Sequence, residues 1–210
     1  MSQLLGTRRH VGVVDYQAGN LQSIGNAFEH LGTLVTRVTR AADLADCTHL
    51  VLPGVGAFGF CAERFAQSGL LPAVQQWAFE DRRPLLGICV GMQLLADGSD
   101  ESPEVPGLGW MGGRVAALTG GGVVRIPHVG WNTVRFDVAC GEFQPGDQAD
   151  FYFDHSFAYG QPALGRRVAS CDHGTTFSAV IARDNVMAVQ FHPEKSQSAG
   201  LRLLRGFLAG

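Results

Sequence analysis

The chain has 210 residues, 46% of them hydrophobic and 17% charged, with a formal net charge of −3. That composition excludes a disordered chain and a basic nucleic-acid binder, and the length fits one compact domain. No apolar run approaches the roughly 20 residues that span a bilayer, so the expectation is a soluble protein with no membrane or nucleic-acid partner.

His10–Tyr16 (HVGVVDY) reads as a first strand, preceded by a short tail over residues 1–9 whose MSQLLGTRRH order does not suit a secretory signal. Gly19–Leu31 carries helical spacing, with Leu21, Ile24, Phe28 and Leu31 on one face. Leu34–Val38 and His49–Leu52 are further strands, Phe60–Glu80 is helical with breaks near Gly69 and Pro72, and Pro84–Cys89 is a fourth strand that runs into a helix over Gly91–Ala96. Apolar strands alternating with amphipathic helices imply a mostly parallel sheet flanked by helices. Asp97–Gly107 (DGSDESPEVPG) reads as a loop, and beyond it the chain becomes a series of strands. These are Gly113–Leu118, Val123–Pro127, Trp131–Phe136, Phe151–Tyr159, Arg167–Cys171, Phe177–Arg183 and Val186–Phe191. A turn covers Gly120–Gly122, Asp184-Asn185 joins the last two strands as a hairpin, and a helix over Ser198–Leu208 closes the chain. The fold class is α/β: one domain over residues 10–210, with an antiparallel β extension.

Five cysteines occur, Cys47, Cys61, Cys89, Cys140 and Cys171, with no C-x-x-C. An odd count without that spacing argues against a disulfide framework and against a structural metal site, and free thiols suit a reducing, cytoplasmic compartment. Cys89 stands apart because it lies in Gly87-Ile88-Cys89-Val90-Gly91, where a strand meets a helix. A nucleophile elbow needs glycine on both flanks of a turn too tight for side chains, and it places the thiol at a helix N-terminus that favours thiolate. The other four cysteines read as structural. Phe191-His192-Pro193-Glu194 ends the strand begun at Val186. His192 suits a general base for the thiol, and Glu194, two residues on and on the same side of an alternating strand, would fix the imidazole tautomer.

Pro53-Gly54-Val55-Gly56-Ala57-Phe58-Gly59 contains a literal G-x-G-x-x-G. A dinucleotide site is disfavoured because the unit follows the third strand and Pro53 removes a backbone donor where a phosphate loop would begin. An oxyanion loop fits better: glycine backbone N–H groups can point at a developing negative oxygen, with Gly56 as one donor and the N–H of Val90, next to the nucleophile, as the other. Glycine also permits a peptide flip, so the loop can switch between presenting a carbonyl and an N–H.

LPGVGAF (52–58), GICVGMQLL (87–95), IPHVGWN (126–132) and QFHPEKSQ (190–197) together resemble the class-I, triad-type glutamine amidotransferases, with weaker support from YFDHSFA (152–158) and DYQAGN (15–20). Within that class the similarity is greatest to the glutaminases of imidazole glycerol phosphate synthases. PHVGWN and HPEKSQ carry that distinction, and Met92 stands where glutaminases for anthranilate synthesis usually have His. The resemblance implies a triad of Cys89, His192 and Glu194 and an oxyanion hole from Gly56 and Val90. It implies that Gln93, Glu101, His155, Ser156 and Phe157 hold the amino-acid part of glutamine. No cofactor is implied. The implied partner is a (βα)₈-barrel cyclase that receives ammonia, with Asn20, Trp131, Tyr152 and Lys195 as interface candidates. Val90 replaces a common Leu, Phe157 replaces a common Tyr, and Asp154 puts a charge at an otherwise apolar strand end. A glutaminase for another synthase, a cysteine peptidase-like protein and a nucleotide-binding module remain alternatives at this stage.

Overall fold

The computed structural model describes residues 9–119, 122 and 124–210. Residues 1–8 of the expected tail, most of the Gly120–Gly122 turn, and Val123 lie outside that set. Among the described residues, thirteen strands and five α-helices follow in the order β1 (His10–Val14), α1 (Leu21–His30), β2 (Leu34–Val38), β3 (His49–Leu52), α2 (Phe58–Gln67), α3 (Leu71–Gln75), β4 (Leu85–Ile88), α4 (Val90–Gln93), β5 (Gly98–Ser99), β6 (Ser102–Pro106), β7 (Arg114–Ala117), β8 (His128–Phe136), β9 (Gln148–His155), β10 (Phe157–Tyr159), β11 (Arg166–Asp172), β12 (Thr176–Arg183), β13 (Val186–Val189) and α5 (Gln197–Ala209).

Nine strands form one sheet in the order β2-β1-β3-β4-β13-β12-β11-β8-β9. The pairings from β2 through β4 to β13 are parallel, and those from β13 to β9 are antiparallel. The antiparallel extension is thus a continuation of the parallel half, joined to it through β13. The central parallel strands bury both faces, as their apolar runs require: every residue of β3 and β4 is buried. In α1, Ile24 and Phe28 are buried and Leu21 and Leu31 pack beside them, while the Asn20 side chain accepts from the Ser23 N–H at 3.4 Å and starts the helix. Among the described residues no helix is long and apolar enough to cross a membrane.

Three expectations are corrected. Asp97–Gly107 is not a loop: β5 and β6 lie in a second sheet of order β10-β7-β5-β6. Prolines at 103 and 106 masked the strand, yet β6 is the edge of that sheet, where a missing donor is tolerated. Phe151–Tyr159 is not one strand; it divides at Ser156, and its halves, β9 and β10, belong to different sheets. Residues 124–127 form bends rather than part of a strand. The expected Phe60–Glu80 helix breaks as anticipated into α2, α3 and a π-helical turn over Gln76–Glu80, with Gly69 at φ +71° between the first two.

A very close backbone approach lies where β3 ends against α4. A Cβ added to Gly91 would sit 2.0 Å from the Leu52 carbonyl oxygen, and one added to Gly87 would sit 3.0 Å from the Gly91 carbonyl. Gly56 has φ +92° but nothing within 4 Å of a built Cβ. Gly91→Ala is therefore expected to destabilise by about 3 kcal/mol or more through backbone collision. Gly56→Ala should lose only about 1 kcal/mol, from the left-handed backbone. Urea denaturation of the two variants checks the order.

Candidate active site

In an open parallel sheet, ligands bind beyond the carboxyl ends of the strands. Three adjacent strands, β3, β4 and β13, end here together and deliver the three candidate pieces: Pro53–Gly56 after β3, Cys89 after β4 and His192 after β13.

Cys89 has φ 54° and ψ −113°. This is a left-handed conformation that a non-glycine residue holds only when its surroundings impose it, and a strained residue of this kind marks functional turns. The flanking glycines that the sequence reading required are required here as well, since neither has room for a side chain. The helix that follows, α4, is a single turn of four residues. Its dipole is accordingly small, so the help expected from the helix N-terminus is weak.

His192 Nδ1 lies 2.9 Å from Glu194 Oε1, with side-chain exposures of 3% and 1%. The two-residue spacing does not come from strand alternation, because β13 stops at Val189 and Pro193–Lys195 is a 3₁₀ turn. The turn folds Glu194 back onto the ring. Hydrogen bonds hold its start: His192 N–H donates to the Tyr152 carbonyl at 2.9 Å, and the Ser196 hydroxyl donates to the His192 carbonyl at 2.6 Å and accepts from the Tyr152 N–H at 3.0 Å. Burial opposes protonation of His192, but hydrogen bonding to Cys89 and Glu194 and attraction to both outweigh it, and the pKa is pushed up to about 10. With Nδ1 on Glu194, the other ring nitrogen serves Cys89. Burial raises the thiol pKa of Cys61 to about 11 and of Cys171 to about 12, which suits inert structural cysteines.

On the loop after β3, the Val90 N–H donates to the Gly54 carbonyl at 3.3 Å. The backbone donor beside the nucleophile is therefore occupied by a carbonyl. Two further contacts hold the loop from behind: Tyr16 Oη donates to the Pro53 carbonyl, and Cys61 Sγ to the Val55 carbonyl at 3.3 Å. The carbonyl on Val90 belongs to the Gly54–Val55 peptide, so a flip there would present the Val55 N–H; Gly56, the donor expected from sequence, is one peptide further on.

A cavity of about 440 Å³, within the range for small-molecule sites, adjoins Cys89 and His192 and is lined by all five residues expected to hold glutamine, Gln93, Glu101, His155, Ser156 and Phe157, together with Gly56 and Val90. Glu101 Oε2 accepts from the Phe58 N–H at 2.7 Å, which anchors one oxygen of the carboxylate. His155 has both ring nitrogens engaged, Nδ1 with the Phe157 carbonyl at 2.9 Å and Nε2 with His128 Nδ1 at 3.0 Å, and burial lowers its pKa to about 4. It shapes the wall as a neutral ring. Sequence reasoning did not place Asp154, Val55 and Pro127 in this wall. For Asp154 the signal was present, a charge in an apolar strand, but it pointed to no particular place.

Trp131 and Tyr152 pair across β8 and β9 with rings 6.2 Å apart, and Lys195 Nζ lies 5.4 Å from the Tyr152 ring. Trp131 is 49% exposed, so it is not a core tryptophan. Asn20 lies apart from this cluster in its role, as the cap of α1.

The family model "Glutamine amidotransferase class-I" matches residues 12–209. An "Imidazole glycerol phosphate synthase subunit HisH" of Bdellovibrio bacteriovorus is 41% identical over 201 residues, covering 94% of this chain and 98% of that one. The "Imidazole glycerol phosphate synthase hisHF" of Emericella nidulans is 39% identical over 211 residues, 95% of this chain but 38% of the fungal one. A solved structure described as a glutamine amidotransferase superposes with a TM-score of 0.74 at 22% identity, covering 95% of this chain and 97% of that one, which shows the shared fold.

The geometry predicts one reactive thiol among five. Peptide mapping after brief iodoacetamide treatment at neutral pH should find Cys89 modified ahead of Cys47, Cys61, Cys140 and Cys171. His192→Asn should slow that modification by at least about tenfold, because thiolate is the reacting form.

Proposed function

The chain belongs to the class-I glutamine amidotransferase family, and from that membership we propose that it is the glutaminase subunit of an imidazole glycerol phosphate synthase. The observation that carries this reading is the juxtaposition of Cys89 and His192 on one cavity, with Glu194 hydrogen-bonded to the His192 ring, in a chain that matches so-named relatives along nearly their whole length.

Cys89 thiolate attacks the side-chain carbonyl carbon of glutamine. The carbonyl oxygen becomes an oxyanion, and the His192 imidazolium gives its proton to the amide nitrogen, which leaves as ammonia. A γ-glutamyl thioester remains. His192, now neutral, takes a proton from water as the oxygen attacks the thioester; glutamate leaves and the thiolate returns. Glu194 keeps the ring in register and favours its charged form. Glu101, with one oxygen fixed on Phe58, faces the α-ammonium of glutamine, and the segment at Ser156 receives the α-carboxylate. Gln93, His155 and Phe157 form the wall between them.

Ammonia released to water becomes ammonium and ceases to be a nucleophile, so the glutaminase docks on the synthase that consumes it. We assign that role to a (βα)₈-barrel cyclase. The exposed apolar side chains Ile126, Val129 and Trp131, at 38%, 55% and 49% exposure, support a docking face beside the site, with Tyr152 and Lys195 adjoining Trp131. The fungal relative supports the pairing, since most of its length lies beyond the region matched here.

The Gly54 carbonyl on the Val90 N–H corresponds to a resting state: an acceptor stands where the oxyanion needs donors. Docking and nucleotide binding would flip the Gly54–Val55 peptide, replacing the carbonyl by the Val55 N–H. Gly54 itself does not tolerate a probe substitution, because a Cβ there would lie 2.6 Å from the Gly91 nitrogen.

Glutamate release measured with and without the cyclase and its nucleotide substrate tests the reading. The isolated chain should be nearly inactive, and the loaded complex should turn over at least about 10²-fold faster, the usual worth of one oxyanion donor. Equal rates would defeat the gating. Cys89→Ala should abolish glutamine-dependent synthesis while added ammonium salts still support the partner. His192→Asn should lose nearly as much as Cys89→Ala, since residues acting as a unit are not additive. Glu194→Gln should lose less and move the alkaline limb of the pH profile downward from about 10, because the carboxylate that helps raise the His192 pKa is gone.

A further inference from the structure

Gln190 is fully buried, lies two residues before His192, and is not required by any step above. Its surroundings fix which end of its carboxamide points where. A backbone carbonyl can only accept, and the Phe157 carbonyl accepts from Gln93 Nε2 at 2.9 Å. That identifies the nitrogen end of Gln93. The same nitrogen donates its other hydrogen to Gln190 Oε1 at 3.1 Å. With its oxygen committed to Gln93, Gln190 turns its nitrogen to the nucleophile: Nε2 lies 3.8 Å from Cys89 Sγ, hydrogen-bond distance for sulfur. The polarity is reinforced at its origin, because the His155 Nδ1–H also donates to the Phe157 carbonyl at 2.9 Å and the His155 Nε2 accepts from His128.

We propose that Gln190 is a further catalytic residue, whose carboxamide N–H donates to Cys89 Sγ and holds it as thiolate, in an orientation dictated through Gln93 by the Phe157 carbonyl. The single-turn helix α4 supplies little dipole, so a second N–H beside His192 is what the sulfur lacks. A hydrogen bond to an anionic sulfur is of the stronger, charge-assisted kind. It acts twice, on the attacking thiolate and on the thiolate expelled when the acyl group leaves. The assignment deepens the reading of Cys89 as the glutaminase nucleophile and rests on it.

The test uses a readout that needs no glutamine. In the full chain, Gln190→Met keeps the length and apolar volume but offers no N–H. Alkylation of Cys89 by iodoacetamide, followed by peptide mass spectrometry, should slow about tenfold at neutral pH, the usual worth of a hydrogen bond to a charged group. At alkaline pH, where the thiol ionises unaided, it should return to the wild-type rate. Gln93→Met leaves Gln190 in place but removes the donor that orients it, and should slow neutral-pH alkylation about threefold, a weaker effect of the same sign. An unchanged neutral-pH rate in both variants would overturn the proposal, and so would equal slowing at both pH values, which marks blocked access. If Gln190→Met does not fold, Gln93→Met decides alone. Should the alkylation pattern hold while wild-type complex releases no glutamate from glutamine, Gln190 stands and the glutaminase reading fails.

Discussion

The site depends on one collision avoided. The chain leaves β3 at Leu52 and leaves β4 at Cys89, and the two exits touch where Gly91 passes the Leu52 carbonyl with no room for a Cβ. That contact brings the Pro53–Gly56 backbone within reach of the Val90 N–H, and it holds Cys89 in a left-handed conformation that lifts the thiol out of the sheet. Strand order does the rest, since β13 inserts beside β4 and carries His192 to the same edge. A sheet that placed β12 or β11 between β4 and β13 would move the base away by one or more strand widths, each about 4.8 Å.

Burial then decides the charge states. The side chains of His192 and Glu194 are almost wholly withdrawn from water, and by itself that would neutralise the ring. Two acidic neighbours reverse the sign. Glu194 Oε2 is buried and, among the described residues, without a hydrogen-bond partner, so the imidazolium is its main source of stabilisation. The nearby histidines His128 and His155 go the other way, to about 3 and about 4, because burial there meets other imidazoles and no carboxylate contact comparable to that of Glu194. Two histidine environments in one region differ because, of these three rings, His192 is the one with a carboxylate hydrogen-bonded to it.

Much of this was legible in the sequence, for physical reasons that can be named. The β3, β4 and β13 strands announce themselves because strands buried on both faces must be continuous apolar runs. The elbow is legible because its glycines are a steric necessity. What could not be read was context. Ser102–Pro106 looks like a loop because its prolines are harmless only at a sheet edge, and edges are set by tertiary pairing. His192 and Glu194 were rightly paired through the wrong geometry, since spacing of two fits a strand and a 3₁₀ turn equally well. Gln190 and Asp154 passed without a role because neither an amide in an apolar strand nor a lone acid states what it faces.

The oxyanion loop shows why local residue types constrain regulation as well as chemistry. Its carbonyls at Pro53, Gly54 and Val55 are each engaged, by Tyr16, by the Val90 N–H and by Cys61. Tyr16 and Cys61 are buried side chains, and burial raises both of their pKa values, so both remain donors and keep holding carbonyls at any ordinary pH. The two glycines are unequal in this respect. Gly54 is packed against Val90 and Gly91 and cannot move without disturbing the elbow, whereas Gly56 has a positive φ and open space around it. The peptide between Gly54 and Val55 thus lies between a packed glycine and, one residue beyond Val55, an unencumbered one. Gly54 keeps the loop aligned with the nucleophile, while Val55 and Gly56 are exposed on its other side.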